Sequence, residues 1–284
     1  MHRELPALTA EELALFNELL IERFGLHFPE HKREILASRL QPRLRANHLS
    51  RYLDYYLMLQ YDFAREKESL IAAITNNESY FFRETSQFEA LKNEVLQRLR
   101  NENEGGKVRL LSAGCSSGEE PYSLNIFVRG FAFGAGIDAV TIDAVDIDTE
   151  RLAKAKSAIY RRAALRALTE DQITRYFHRH DDETFELKTI YRRGVDFAVG
   201  NILELGGLAG GQPYDVIFCR NVLIYFAEPS LKAAVRNFAR ALRPGGYLFL
   251  GHSESIIGLS HDFTAERLEQ CIAYRRVHAA EEAR

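Results

Sequence analysis

Residues 108–124 read VRLLSAGCSSGEEPYSL: an apolar run, Val108 to Leu111, that breaks into Gly114-Cys115-Ser116-Ser117-Gly118 and two acids before a helical pattern begins. The run is long enough for a buried parallel strand. Two glycines in a strand-to-helix turn let the backbone approach a ligand with no Cβ in the way. Glu119 and Glu120 reverse the charge that a pyrophosphate would want and suit a cationic or amino-bearing ligand. That separates a sulfonium compound from a dinucleotide. Asp146 closes TIDAVD one strand–helix unit later, where a carboxylate accepts two hydrogen bonds from ribose hydroxyls. Its gap from the glycines is longer than in dinucleotide-binding dehydrogenases, and the glycines read GxxxG rather than GxGxxG, which tells against NAD. Asp146 could instead cap the following helix, a job open to Asp148 as well.

Three further groups could complete such a pocket. Asn201 follows the short apolar run Phe197–Val199, where an amide could read an adenine edge, although an asparagine there is as easily a loop residue. DVIFCRNVLIYF delivers Arg220 and Asn221 to the carboxyl end of a strand, where open α/β sheets bind ligands. Tyr225 comes one helical turn after Asn221 and shares its face if a helix begins there; the alternative is core packing with Phe226. In the segment NNESYFFRE, residues 76–84, three consecutive aromatics stand beside an amide, a hydroxyl and an arginine. Such rings could cover a cofactor and exclude water, or form an interdomain hydrophobic clasp.

The elements that must position these residues fall into two textures. Residues 1 to about 75 read as helices only. Thr9 with Glu11 and Glu12 marks a start, Leu13, Phe16, Leu19, Leu20 and Phe24 share one face, and Gly25 ends it. A second helix follows Pro29 with Ile35, Leu36, Leu40 and Leu44 apolar and Lys32, Arg33, Arg39, Arg43 and Arg45 on the remaining surface. Ser50 caps a third through Tyr52, Leu53, Tyr56 and Leu57, and a fourth runs from Ala64 to Ile74, giving a small bundle. From Asn76 onward strand and helix patterns alternate, as in a mostly parallel sheet flanked by helices. TFELKTIYRRGVD, residues 184–196, breaks that rhythm like an inserted antiparallel hairpin, and Cys271 to Val277 would close the sheet.

Composition narrows the class. The 284 residues are 46% hydrophobic and 27% charged, enough for one large domain or a small one joined to a medium one. No apolar run reaches the ~18 residues of a membrane span, and the first twenty residues lack the apolar core of a signal peptide. Cys115, Cys219 and Cys271 form no CxxC pair, which argues against zinc and against a disulfide framework. A net charge of −3 excludes a globally basic nucleic-acid binder, and no metal site is expected.

With NNESYFFRE, SAGCSSGEEPYS, AVDID, GNIL, FCRNVLIYF and LRPGGYLFLGHSES in this order, the sequence resembles the CheR family of bacterial chemotaxis receptor methyltransferases over nearly its whole length. The resemblance implies a Rossmann-like S-adenosylmethionine-dependent methyltransferase domain, residues 76–284, with a small antiparallel β insertion at about 178–196. It implies an all-α receptor-recognition domain at 1–75 ahead of it. The implied reaction moves a methyl group from S-adenosylmethionine to glutamate side chains of chemoreceptors, leaving glutamyl methyl esters and S-adenosylhomocysteine. By resemblance, Asn77, Ser79 (where the family often has threonine), Arg83, Glu119, Asp146, Asn201 and Asn221 fall on cofactor-contacting positions, joined by Gly114, Ile202 and Arg220 in the same segments. Arg83 and Tyr225 match the pair close to the transferred methyl group. Arg33, Arg39, Arg43, Arg45 and Arg51 form a basic face that complements an acidic receptor helical bundle. The chain is expected to act as a cytoplasmic monomer recruited to membrane receptor arrays, without nucleic acid or membrane insertion. Family members that dock on a receptor C-terminal pentapeptide carry a glycine-rich loop, whereas His178–Thr184 here is acidic and lacks glycine, so pentapeptide independence is expected. The competing readings are a methyltransferase for RNA or a small molecule, and a cofactor-binding sensor without catalysis.

Overall fold

The computed structural model describes residues 6–76, 78–102, 107–131, 140–207 and 212–277. The chain divides into two compact units, 1–76 with 225–231, and 77–224 with 232–284.

The first unit holds four helices: α1 (Ala10–Phe24), α2 (Arg33–Ala46), α3 (Tyr52–Tyr61) and α4 (Phe63–Ile74). Thr9 and Glu12 form a reciprocal capping box on α1, and Gly25 ends it at φ 76°. All five residues of the expected α1 face are buried. The other faces are partly rotated from expectation. On α2, Leu36, Leu40 and Leu44 are buried but Ile35 is exposed. On α3, Tyr52, Tyr55 and Leu59 point inward while Leu53 and Leu57 face out, and Ser50 makes no cap. An apolar residue on every side of α3 leaves its periodicity ambiguous, so packing chose the face. The returning segment 225–231 joins this unit through backbone bonds from His27 N–H to Tyr225 and from Ala227 N–H to Gly25, both 2.9 Å.

The second unit begins with a helical stretch, α5 (Thr85–Ala90) and α6 (Leu96–Glu102) joined by a π turn. There follow β1 (Val108–Ala113), α7 (Glu119–Phe131), β2 (Val140–Asp146), α8 (Thr149–Ser157), β3 (Ile159–Arg161), α9 (Glu170–Tyr176), β4 (Phe177–Arg179), β5 (Thr184–Leu187), β6 (Val195–Val199) and β7 (Tyr214–Cys219). Then α10 (Glu228–Ala241), which starts in the first unit, leads to β8 (Leu242–Leu250), β9 (Phe263–Arg267) and β10 (Ile272–Arg276). The main sheet runs β6-β2-β1-β7-β8-β10-β9. It is parallel from β6 to β8, and β10 lies antiparallel to both β8 and β9. Phe88, Phe218 and Phe249 stack through its core at 5.8 and 4.5 Å between ring centroids.

Two expectations need correcting. The inserted sheet has three strands in the order β3-β5-β4 and starts at Ile159, well before the hairpin expected at 178–196. Of the alternating segment, only Thr184–Leu187 belongs to it; Val195–Val199 is the edge strand of the main sheet. Cys271–Val277 does not close the sheet, because β9 lies outside β10. As a half-exposed edge of mixed polarity, β9 carries no apolar run to announce it.

Candidate active site at the carboxyl ends of the strands

Asp146 ends β2 beside the turn that follows β1, because β1 and β2 pair in register from Val108↔Val140 to Ala113↔Val145. The turn is tied to β2 by Gly114 and Cys115 N–H groups on the Val145 carbonyl, at 2.8 and 3.0 Å. Asp146 accepts the Ser116 N–H at 2.7 Å on one oxygen and the Asp148 N–H at 2.9 Å on the other. Burial pushes its carboxyl above the usual range, opposed by those amides. Asp148, not Asp146, caps α8 by accepting Arg151 N–H, so the capping alternative for Asp146 falls away. The Ser116 hydroxyl is buried beside Asp146 with no hydrogen-bond partner among the described residues, a polar atom that a bound hydroxylated ligand would satisfy.

The glycines of the turn are explained differently from the expectation. A Cβ on Gly114 would stand 2.6 Å from a Val222 methyl, and one on Gly118 would stand 2.9 Å from the Ala155 Cβ. Both have positive φ, 79° and 91°. Glycine is needed here to lock the turn against β7's loop and against α8, as well as for its backbone conformation.

Glu119 and Glu120, at the start of α7, separate sharply. Glu120 accepts the Ser112 hydroxyl and the Arg220 Nε, both at 2.7 Å. Glu119 is buried, and among the described residues its carboxylate takes hydrogen bonds only from the Ser117 hydroxyl, at 2.9 and 3.0 Å. A buried carboxylate with one neutral donor and no cation is poorly compensated, which suits an incoming amino group.

The Arg220 guanidinium is 2% exposed, pairs with Glu120, lies 4.7 Å from the Phe88 ring centroid and donates to the Arg83 carbonyl at 2.7 Å. The Arg220 side chain is a buried strut, which leaves its backbone for the expected cofactor contact. Arg83, which it holds, sits between Phe82 and Glu84, both left-handed at φ 60° and 55°. Such φ values are costly for a bulky residue and cluster where structure constrains a functional side chain. The Arg83 guanidinium donates to the Glu78 carbonyl at 3.1 Å and lies 5.7 Å from the Tyr80 ring centroid.

The aromatic run beside it divides too. Phe81 meets Tyr160 and Phe177 edge-on at 4.8 and 5.0 Å, and Phe82 meets Phe127 at 4.9 Å. Those two rings are core of the second unit, fastening the inserted sheet, rather than a cofactor lid. Tyr80 alone stays half-exposed, its ring 3.7 Å from the Arg166 guanidinium. Ser79 is half-buried ahead of it, and Asn77 lies outside the described residues.

Asn201 and Ile202 follow β6, whose end is joined to β2 by the Gly200 N–H on the Asp146 carbonyl at 3.0 Å. The Asn201 side-chain oxygen accepts Leu203 N–H at 3.0 Å, and Ile202 is buried. After β7, Asn221 is left-handed at φ 60°, and only the short 3-10 turn Leu223–Tyr225 follows. No α-helix puts Asn221 and Tyr225 on one face, and the two belong to different units. Within the first unit, the Tyr225 hydroxyl accepts the Asn76 side-chain amide, and Lys32 Nζ stands 5.8 Å from its ring centroid. Sequence reasoning passed over Glu254, whose carboxylate accepts backbone N–H groups of Gly251, Asn221, Val222, Leu223 and Ile224. Its place just past the end of β8, in GHSES, was the available signal.

The expected basic face is thinner than its sequence. Arg43 bonds the buried Glu66 at 2.7 Å together with the Tyr55 hydroxyl, and Arg39 bonds the Ile74 carbonyl. Arg33 pairs with Glu30 at 3.0 Å, and the exposed Arg51 pairs with Asp54. Arg45 is exposed.

A mostly parallel sheet with a buried acid on its second strand, an orphaned hydroxyl beside it and a buried carboxylate that opens α7 with only a serine hydroxyl bonded to it defines the second unit as a Rossmann-like cofactor-binding domain. Comparison with known families gives it a more specific place. The chain belongs to the CheR methyltransferase family: residues 77–272 match its S-adenosylmethionine-binding domain and residues 11–75 its all-α domain. Relatives include chemotaxis protein methyltransferase 2 of Vibrio cholerae, 34% identical over 95% of this chain and 94% of the relative. The chemotaxis protein methyltransferases of Klebsiella aerogenes and Escherichia coli are 37% and 35% identical, over 93% and 92% of this chain and 89% and 90% of theirs. Among the described residues no helix is long and apolar enough to cross a membrane.

Proposed function

We propose that this methyltransferase acts in chemotaxis, esterifying glutamate side chains on the cytoplasmic helical bundle of chemoreceptors. The observation that carries the cofactor pose is the split between the two acids of α7: Glu120 is consumed by Arg220 and Ser112, leaving Glu119 to receive the amino group of S-adenosylmethionine. Asp146 and the Ser116 hydroxyl hold the ribose, and Asn201 and Asn221 border the base. When bound, the cofactor supplies an electrophilic methyl group on a sulfonium.

The acceptor needs no activation, because a glutamate is already ionised at neutral pH. The protein's part is therefore in-line placement and removal of water. Arg83 orients the acceptor carboxylate, and Tyr225 places it, with Lys32 adding positive potential near the phenol. The enzyme works in the cytoplasm as a monomer recruited to receptor arrays. The loop between β4 and β5 is closed on itself, Asp181 accepting Glu183 and Thr184 N–H groups at 2.8 and 2.6 Å, which supports independence from a receptor pentapeptide. Incubation with methyl-labelled cofactor and purified receptor cytoplasmic fragments should yield base-labile label on the receptor. Arg83→Ala and Tyr225→Phe should lower turnover by on the order of 10²-fold. Base-stable label, or full activity in both variants, would overturn the reading.

A further inference from the structure

We propose that Glu254 is the positioning residue of the cofactor site: its carboxylate gathers the amides of the loop after β7 and so sets Asn221 in the conformation that faces the cofactor. The inference rests on the proposed reading of Asn221 as a cofactor neighbour.

One oxygen of Glu254 accepts Gly251 N–H at 2.7 Å and Asn221 N–H at 2.8 Å. The other accepts Leu223, Val222 and Ile224 N–H groups at 2.7, 2.9 and 3.3 Å. A carboxylate offers about four lone-pair sites, so these five amides saturate it. Charge-assisted bonds to backbone N–H groups are the strong kind, and they replace the water lost on burial. The amides converge because Asn221 is left-handed, a conformation that asparagine tolerates better than most residues but that still needs support.

The same clamp reaches both sides of the proposed cofactor site. A Cβ on Gly251 would fall 2.7 Å from Asn221 Nδ2 and 2.9 Å from a Glu254 oxygen, so the end of β8 and the Asn221 side chain interlock. Val222, held by Glu254, fills the space above Gly114, the first residue of the turn that carries Ser116. Glu254 thus joins the loop after β7 to the loop after β1 without itself needing to touch ligand.

The test is S-adenosylhomocysteine binding by calorimetry on the full chain, with thermal melts alongside. Asn221→Ala and Glu254→Gln should each raise the Kd about tenfold, the loss expected for one charge-assisted or buried hydrogen bond. The double variant should be little worse than either single one, since both act on one group. Gly251→Ala should weaken binding in the same way with the Glu254 carboxylate retained. A Glu254→Gln protein that melts lower yet binds with unchanged Kd, or effects that add in the double variant, would reduce Glu254 to a loop staple. An unchanged Kd in Asn221→Ala overturns both this inference and the assignment of Asn221.

Discussion

At the scale of single residues, adjacent identical side chains in this chain do different work. Glu119 and Glu120 open the same helix, yet among the described residues one has no cation and the other is half of a buried ion pair. Glu119→Gln should raise the S-adenosylhomocysteine Kd about tenfold while leaving the melting temperature nearly unchanged, because the charge it removes is one the folded protein alone compensates poorly. Glu120→Gln should do the reverse, since it takes from the buried Arg220 guanidinium its nearest carboxylate and leaves it only Glu84, at 3.7 Å, as an ionic partner. Calorimetry and thermal melts on the two variants separate these outcomes; equal effects would contradict the assignment. Arg220 shows the same economy, its buried charge serving to hold the Arg83 backbone.

At the scale of elements, α2 combines a structural and a presented charge set. Burial is the largest single influence on the Glu66 carboxyl and pushes it up, but the bonds from Arg43, Tyr55 and Asn47 together outweigh it and hold the group below the usual carboxylate range. A lowered folded-state value means that the bonds contribute in full above the unfolded pKa of about 4.3 and lose that contribution as pH falls through the folded value. Melts from about pH 6 down to about pH 2 should show the wild type losing its margin over Glu66→Gln; a margin independent of pH would exclude the linkage. Charge reversal at Arg43 would therefore report on folding. The informative substitutions are Arg45→Glu and Arg51→Glu, which should raise the KM for receptor fragments and flatten its salt dependence. Unchanged kinetics would make the exposed arginines a solubility feature.

At the scale of the whole molecule, the chain builds two units but crosses between them, returning residues 225–231, with the start of α10, to the helical unit. The inserted sheet presents an acidic, self-bonded loop between β4 and β5. Calorimetry with a receptor C-terminal pentapeptide should show no binding at micromolar concentrations, and a micromolar Kd would overturn pentapeptide independence. Sequence alone determined the alternation that makes the second unit a Rossmann-like sheet, the α1 face and the positions of Asp146 and the two acids of α7, because each is written in local periodicity or in a strand end. It could not reach features made by residues far apart in the chain. Glu254 reads amides thirty or so residues before it, Val222 explains Gly114, and Arg220 turns to Glu120. Edge strand β9 and the outward face of α3 were likewise decided by packing. A side chain's partner is set by tertiary proximity, and for a buried charge the partner decides whether it holds the fold together or waits for a ligand.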